Sequence, residues 1–348
     1  MIGKLFIRSY RLGHIEHRLL LSLTLVLMFA AATANSDTVT IAEAWGNFEA
    51  GTNAEFHAVI QSSAATRGNL QFAVTVGPQP IVRREIEVSA EAGQPALVPI
   101  QFAVPPLKDD VAVRALLTVA FQPQSTGPGK AVSSVEKTLW FFAANPFANH
   151  EASLNDKKIA LFDPEGKTQK RLEQAGIPFV LVPRLDAIPN IKEGMLIIGE
   201  GISLRDFRTL TDVCLAAAAR GVPVLCLALK DGQFRLIDNN DKSLPSPYAM
   251  SFRHNDIITN LDKRLDAVAW PPDGIVAART LAISGDRGPI VGEVIDKTGE
   301  WPWMELTFNN HGKAIFCQFD IIEKWNTGPA PRYLLAALLE YLSKNNSQ

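Results

Sequence analysis

The spacing of apolar residues changes part-way along this chain, and that change constrains the fold more than any other feature. From about Asp37 to Phe142 apolar and polar residues alternate, as at Phe56, Ala58 and Ile60, which is the period of a half-buried β-strand. After Pro146 short apolar runs alternate instead with segments of helical period, which is typical of strands and helices built around a parallel sheet. The sequence therefore predicts two domains of different class.

Turn-forming residues separate the alternating runs of the first half. Glycine and proline pairs such as Gly77-Pro78 and Pro105-Pro106 lie between them, and these are the residues that turns require. About seven short strands without a convincing helix are typical of an immunoglobulin-like β-sandwich, which we assign to residues 35–145. The strands are expected at 38–42, 56–61, 70–76, 84–88, 98–104, 111–121 and 135–142.

The second half, residues 155–345, predicts an α/β flavodoxin-like three-layer domain with β additions late in the chain. Ser203 followed by Asp206 is a capping box for a helix at 204–220. Pro329 opens a closing amphipathic helix that reaches Leu342. A further helix is expected at 168–175, and strands at 158–162, 179–182, 195–198, 222–229, 280–284, 292–295, 304–308 and 314–319.

The first 34 residues have the features of an export signal. Basic residues from Lys4 to Arg18 precede an apolar stretch of 14 residues, Leu19 to Ala32, and Ala32-Thr33-Ala34 is a small-x-small cleavage site. The stretch is shorter than the roughly 20 residues that span a bilayer. Residues 1–34 are therefore predicted to be a signal peptide of a periplasmic or secreted protein, with no stable membrane span after cleavage. A retained N-terminal anchor is the alternative.

Charge and cysteine content narrow the classes of partner and cofactor. Four of the 34 basic and one of the 36 acidic residues lie in the signal, so the remainder carries 30 basic against 35 acidic residues, a formal charge of −5. This balance argues against nucleic acid as a partner. Cys214, Cys226 and Cys317 lie in apolar segments without metal-ligand spacing, which indicates buried side chains and no metal.

No cofactor motif is complete. Gly166-Lys167-Thr168 ends like a phosphate-binding loop, but Leu161 occupies the position of the loop's first glycine. Trp301 and Trp303 are two residues apart and would share one face of an extended segment, as in a sugar-stacking platform. The alternative is that both tryptophans cover the domain's own core or the seam between the domains.

The run Gly221-Val222-Pro223-Val224-Leu225 resembles the nucleophile strand of class I glutamine amidotransferases, commonly G-I-P-V-L-G-I-C-L-G-H. In a gapless comparison Cys226 occupies the first elbow glycine, Ala228 the nucleophilic cysteine and Lys230 the second glycine. The elbow needs small residues on both sides of its nucleophile. His311 also has no acidic residue two positions later, as the family's base and orienting residue require. The resemblance therefore implies a catalytically silent domain without a catalytic residue.

The order of the two domains resembles the accessory C-terminal parts of exported β-galactosidase-like glycoside hydrolases. The likeness covers roughly residues 155–345 and includes the strand at 312–320 and the helix that follows it. The chain has no segment long enough for the (β/α)8 barrel of such an enzyme, which takes about 250 residues. The resemblance therefore implies a non-catalytic protein related to carbohydrate metabolism.

The functional hypothesis is an exported binding or scaffolding protein that holds an envelope protein or a carbohydrate at the carboxyl ends of the α/β strands. Open α/β sheets place their ligands there. The candidate rim residues are Asp163, Gly199, Glu200, Gly201, Ala228 and Asp231. Each of the three carboxylates could equally serve as a turn residue or a helix cap. Two alternatives stay open: a hydrolase acting on sugar or peptide with the rim carboxylates, and a subunit of an envelope assembly with an exposed apolar patch.

Overall fold

The described part of the chain is rich in β-structure, which is arranged in four sheets. The computed structural model describes residues 37–109, 111–124, 132–148, 150–236, 246–284, 290–296, 300–309 and 312–344. The predicted signal peptide and His311 lie outside these residues.

The first eight strands form two sheets around one core. A three-stranded sheet has the order β1-β3-β6, and a five-stranded sheet has the order β2-β8-β7-β4-β5. Neighbouring strands are antiparallel except β2 and β8, which are parallel. The strands are β1 Thr38–Ile41, β2 Asn47–Glu49, β3 Asn53–Gln61, β4 Thr66–Val76, β5 Gln79–Ala90, β6 Ala96–Ala103, β7 Ala112–Pro123 and β8 Ser133–Phe142.

Alternation of apolar residues builds this core. Phe56 and Ile60 of β3 point inward, as do Phe72 of β4 and Val119 of β7, and all are at most 2% exposed. Their neighbours in sequence face outward, since side chains along a strand point alternately to its two faces. One strand that the sequence pattern missed, β2, has only three residues and is paired through its backbone to the end of β8.

The second half is organised by a seven-stranded sheet of order β10-β9-β11-β12-β18-β17-β14. The first five strands of this order are parallel, and β17 and β14 complete the sheet in antiparallel fashion. The strands are β9 Ile159–Phe162, β10 Val180–Leu181, β11 Met195–Ile198, β12 Val224–Cys226, β14 Ala249–Arg253, β17 Trp303–Thr307 and β18 Lys313–Cys317.

Helices and a smaller sheet accompany it. The small antiparallel sheet has the order β13-β16-β15. The helices are α1 Glu151–Asp156, α2 Lys167–Gln174, α3 Leu210–Ala219, α4 Asp256–Leu261 and α5 Ala330–Lys344, with a 3₁₀ helix at Leu185–Asn190; the small-sheet strands are β13 Gln233–Leu236, β15 Thr280–Ser284 and β16 Ile290–Ile295.

Both faces of the central parallel strands are buried. On β11, Met195 and Ile197 belong to the apolar cluster that contains Leu334 and Leu338 of α5. Leu196 and Ile198 belong to a second cluster, which contains Cys214 of α3 and Phe234 of the small sheet. Continuous apolar runs such as Met195–Ile198 are what strands buried on both faces require.

The β-sandwich and the second half share a polar seam. The Asp266 carboxylate accepts hydrogen bonds from the backbone N–H groups of Gly46 at 2.7 Å and Asn47 at 2.8 Å. In turn, Asn47 Oδ1 accepts a hydrogen bond from the Asp266 N–H at 2.8 Å, and Asn47 Nδ2 donates to the Arg264 carbonyl at 3.0 Å. Four hydrogen bonds therefore fix the start of β2 against the segment after α4.

Apolar and charged contacts extend the seam along α5. The rings of Phe142, at the end of β8, and Tyr333 of α5 have centroids 4.6 Å apart. Arg332 forms an ion pair with Glu49 of β2 and donates to the Ala144 carbonyl at 2.8 Å. The first residues of α5 thus contact the last residues of the sandwich.

The helix predicted at 204–220 begins later than its capping signal indicates. The Asp206 N–H does bond to the Ser203 hydroxyl, at 3.3 Å, but turns follow and α3 starts at Leu210. The Ser203 hydroxyl also donates to Asp231 at 2.6 Å. The same hydroxyl therefore joins the predicted capping bond to a residue that is distant in the sequence.

Replacing Asp266 by alanine tests the polar seam. The change leaves the Gly46 and Asn47 N–H groups without their acceptor, and unpaired buried donors cost about 1–3 kcal/mol. We expect the free energy of unfolding from urea titration to fall by about that amount. The control is Asp186→Ala, which removes an exposed carboxylate paired only with Arg184. Equal stability of the two variants would contradict the structural role of the seam.

Candidate functional site

The carboxyl ends of the parallel strands form one edge of the large sheet. Asp163 directly follows β9, Gly199, Glu200 and Gly201 follow β11, and Ala228 lies two residues after β12. Backbone bonds extend the pairing beyond the strands, because Leu227 donates to Ile198 at 3.0 Å and Gly201 donates to Ala228 at 2.7 Å. We refer to this edge, from Asp163 to Asp320 after β18, as the rim.

Glu200 is a buried carboxylate of the rim, with 7% exposure. Its two oxygens accept the backbone N–H groups of Ile322 and Glu323, both at 2.8 Å. Its own N–H donates to the Thr168 hydroxyl at 2.9 Å. Burial raises the pKa of Glu200 to about 8, and Asp320 and Glu323 add to that effect, although the two N–H donors oppose it. Glu200 thus ties β11 to the turns after β18.

Asp163 performs a similar role for α2. One carboxylate oxygen accepts the Gln169 N–H at 2.8 Å, and the other, Oδ1, is buried without a hydrogen-bond partner. Burial raises the pKa of this carboxyl. A Cβ atom at position 199 would lie 2.6 Å from Asp163 Oδ1, so only glycine leaves room for the carboxylate. The position of the Asp163 carboxylate therefore requires glycine at position 199.

Ala228, Cys226 and Asp231 are placed by the extension of β12. Ala228 is 6% exposed at the rim, and Cys226 is 1% exposed two residues earlier. Contact with the Cys214 thiol and burial raise the pKa of Cys226 well above its usual range, and a protonated buried thiol is a poor nucleophile. Asp231 accepts the Ser203 hydroxyl at 2.6 Å and precedes the small sheet. Asp231 therefore bonds to a different part of the structure from Asp163 and Glu200.

Two polar residues after β18 were missed by sequence reasoning. Gln318 is fully buried, and its Oε1 accepts the Leu229 N–H at 3.0 Å while its Nε2 has no partner. Burial raises the pKa of Asp320 to about 6, opposed by Lys324 and Arg279. Their only signal in the sequence is their position, since both lie within three residues after the apolar strand β18.

Exposed charges line the outside of the rim. The Lys167 ammonium pairs with Glu165 at 3.1 Å, and both side chains lie near Gly201, whose φ is +89°. Glu323 is exposed beside them in the turns after β18. The outer rim therefore carries two exposed carboxylates, Glu165 and Glu323, and two exposed cations, Lys167 and Lys230.

Histidine, the commonest catalytic base, lies away from Ala228 wherever the structure describes it. His57 is in β3 and His150 precedes α1. His254 follows β14, and because β14 is separated from β12 by β17 and β18, roughly 14 Å of sheet lies between them at about 4.8 Å per strand. The described histidines therefore do not complete a nucleophile and base pair at Ala228.

The two tryptophans predicted as a possible sugar platform do not form one surface. Trp303 is fully buried in β17. Trp301 is half-buried and stacks on the His254 ring at a centroid distance of 4.5 Å. Trp303 agrees with the alternative interpretation, in which the tryptophans cover the protein's own core.

Among the described residues no group of three or more His, Cys, Asp or Glu side chains is arranged to hold a metal ion, and no helix is long and apolar enough to cross a membrane. A cavity of about 590 Å³ lies elsewhere, between α1, the segment after α4 and α5.

Comparison with known proteins gives only distant likenesses. No protein-family model and no curated protein match the chain. Among solved structures, the sporulation control protein Spo0M from Bacillus subtilis is 12% identical, with 35% of this chain and 55% of that chain covered and a TM-score of 0.27. A PapD-like domain of human CEP192 is 11% identical, with coverages of 40% and 97% and a TM-score of 0.23.

A larger part of the chain aligns with a cycloisomaltooligosaccharide glucanotransferase from a Paenibacillus species. The identity is 10%, 74% of this chain and 34% of that chain are covered, and the TM-score is 0.27. The chain thus spans about a third of the length of that enzyme and about half that of the sporulation protein. At these TM-scores the likenesses carry no argument about function.

The buried Glu200 makes a pH prediction. Because its pKa is raised from 4.5 to about 8, the folded state binds more protons than the unfolded state between these values, and stability must fall as pH rises through that window. Glu200→Gln removes this contribution, which changes by at most about 1.4 kcal/mol per pH unit.

Urea titrations of parent and Glu200→Gln between pH 5 and 9 measure the effect. We expect the stability of the parent relative to the variant to decline from pH 5 to 8 and then to level. Glu193→Gln, at an exposed carboxylate before β11, is the control and should follow the parent. Parallel pH profiles for the parent and Glu200→Gln would contradict the raised pKa.

Proposed function

We propose that this is an exported, non-catalytic binding or scaffolding protein that holds its ligand or partner at the rim. The proposal rests on one observation: the rim carboxylates accept hydrogen bonds from the protein's own backbone. Glu200 accepts two backbone N–H groups, and Asp163 accepts another. A carboxylate committed to the protein's own backbone is not free to act as a general base or a nucleophile on a substrate.

The strand order supports a flavodoxin-like interpretation of the second domain. In chain order the parallel strands β9, β10, β11, β12 and β18 are arranged 2-1-3-4-5, the order of flavodoxin-like sheets. In such sheets ligands bind where the strand order reverses, here between β9 and β11. The loops there carry Asp163, Gly199 and Gly201.

We further propose that the domain is a silent relative of the glutamine amidotransferases. Ala228 lies after β12, next to the Gly201 backbone, where the resemblance puts the nucleophile. The two packed sheets of residues 38–142 support an immunoglobulin-like sandwich, which would orient the rim through the seam at Asp266. The proposal that the protein is exported rests on the signal peptide predicted at residues 1–34.

The charge of the outer rim narrows the class of ligand. Glu165 and Glu323 are exposed there, and Glu165 pairs with Lys167. Carboxylates are hydrogen-bond acceptors only, so they suit the hydroxyl groups of a carbohydrate or the basic side chains of an envelope protein.

Charge reversal at Glu323 tests the rim as the binding surface. We expect the parent to retain neutral or amino sugars on a glycan array and Glu323→Lys to lose at least about 80% of that signal, because a typical charged hydrogen bond is worth about 1.5–3 kcal/mol. Glu193→Lys reverses a charge before β11, at the opposite end of the strand, and should bind like the parent. Equal loss in both variants would contradict the location.

The position of Ala228 is tested by restoring a thiol. Ala228→Cys should release no ammonia from glutamine, because a nucleophile without its base loses most of its catalysis. The assay is ammonia detection with purified protein at millimolar glutamine, with the parent as the blank. Measurable glutaminase activity in the single variant would place a base beside residue 228 and overturn the silent assignment.

The rival function is a hydrolase that uses the rim carboxylates, and the raised pKa of Glu200 favours it. Groups with strongly shifted pKa values are common at catalytic sites. This candidate predicts hydrolysis of chromogenic glycosides or peptides that Glu200→Gln abolishes. The same preparations used for the array decide between the two, since a binder gives retention without turnover.

A further inference from the structure

A cavity far from the rim combines an apolar floor with cationic walls. It has a volume of about 590 Å³ and lies between α1, the segment after α4 and the outer face of α5. Small-molecule sites have volumes of about 300–1,000 Å³. We call it the α5 cavity. Lys157, in its wall, precedes β9, so the cavity lies toward the amino ends of the parallel strands and is distinct from the rim.

Small residues on α5 create the space. Ala336 and Ala337 are half-buried on the helix face that begins with Tyr333, where larger side chains would fill the groove. Phe147 and Leu154 close one side and Leu261 the other. The floor therefore offers apolar contact to a ligand with an aromatic or aliphatic body.

Five charged side chains line the cavity, of which three are cationic and two are carboxylates. Arg264 is held by Asp262 through bonds of 2.6–3.1 Å, so this pair is neutral within itself. Lys157 and Lys263 also line the cavity and face one further carboxylate, that of Glu340. Lys157 donates to the Ser343 hydroxyl at 2.8 Å.

The Lys157 ammonium is half-buried and donates to a neutral hydroxyl. Burial lowers its pKa, and the carboxylates of Glu340 and Asp156 oppose that effect. A partly desolvated ammonium is stabilised by an anion that enters beside it.

We propose that the α5 cavity binds a small amphipathic organic anion, with an aromatic or aliphatic body on Ala336 and Ala337 and an acidic group at Lys157. A single negative charge on the ligand suits this lining, which has three cationic side chains and two carboxylates. This site is independent of the proposed function of the rim.

Anilinonaphthalene sulfonate is a suitable probe because it joins two aromatic units to one negative charge. N-phenyl-1-naphthylamine has the same body without the charge and serves as the matched neutral probe. We expect the parent to bind one equivalent of the anion by fluorescence titration. Lys157→Gln should weaken the anion at least about fivefold and leave the neutral probe unchanged, while Ala337→Leu should weaken both probes because it fills the cavity.

Lys192→Gln, an exposed lysine of the segment before β11, is the control and should bind both probes like the parent. Circular dichroism and the urea midpoint establish that each variant is folded, since a loosened protein binds such dyes non-specifically. Three results would overturn the proposal: several weak sites instead of one, equal anion affinity in Lys157→Gln and the parent, or probe binding that survives Ala337→Leu.

Discussion

The demand that both faces of the parallel strands be covered determines the rest of this structure. β9, β11, β12 and β18 are apolar on both sides, so each face needs a layer of its own. One face is covered by α5, and the other by α3 and the small sheet. Phe142 at the end of β8 belongs to the same cluster as α5. The sandwich is thus part of the covering of the sheet, and the seam at Asp266 fixes where it lies.

The parts of the fold that repeat a period could be predicted from the sequence. Alternation located the long sandwich strands, and the run Met195–Ile198 matches β11 residue for residue. Short elements held by distant contacts could not be found in this way. β2 has three residues and exists through its pairing with β8, and α4 has six, with only Ile257 and Ile258 buried. The late start of α3 could not be predicted either, because the capping bond at Ser203 is present and yet turns precede Leu210.

The candidate site could likewise be predicted only in part from the sequence. Position after a buried strand identified Asp163 and Glu200 as rim residues, because the carboxyl ends of parallel strands share an edge. Their partners were not predictable: Glu200 bonds to the backbone at Ile322 and Glu323, more than 120 residues away. Asp231 shares the local signature but bonds to Ser203 instead. What a turn carboxylate does depends on which backbone N–H groups the fold brings to it, and a sequence pattern does not contain that information.

Unpaired backbone N–H groups explain why buried carboxyl groups lie at this edge. In β–α units the helix that follows a strand begins at the strand's carboxyl end, where its first N–H groups lack partners and its dipole is positive. Many α/β proteins leave these groups to a ligand's phosphate or carboxylate. Here Asp163 accepts the Gln169 N–H of α2, and Glu200 accepts two N–H groups in the turns after β18. The protein's own carboxyl groups therefore bond to backbone N–H groups that a ligand could otherwise use.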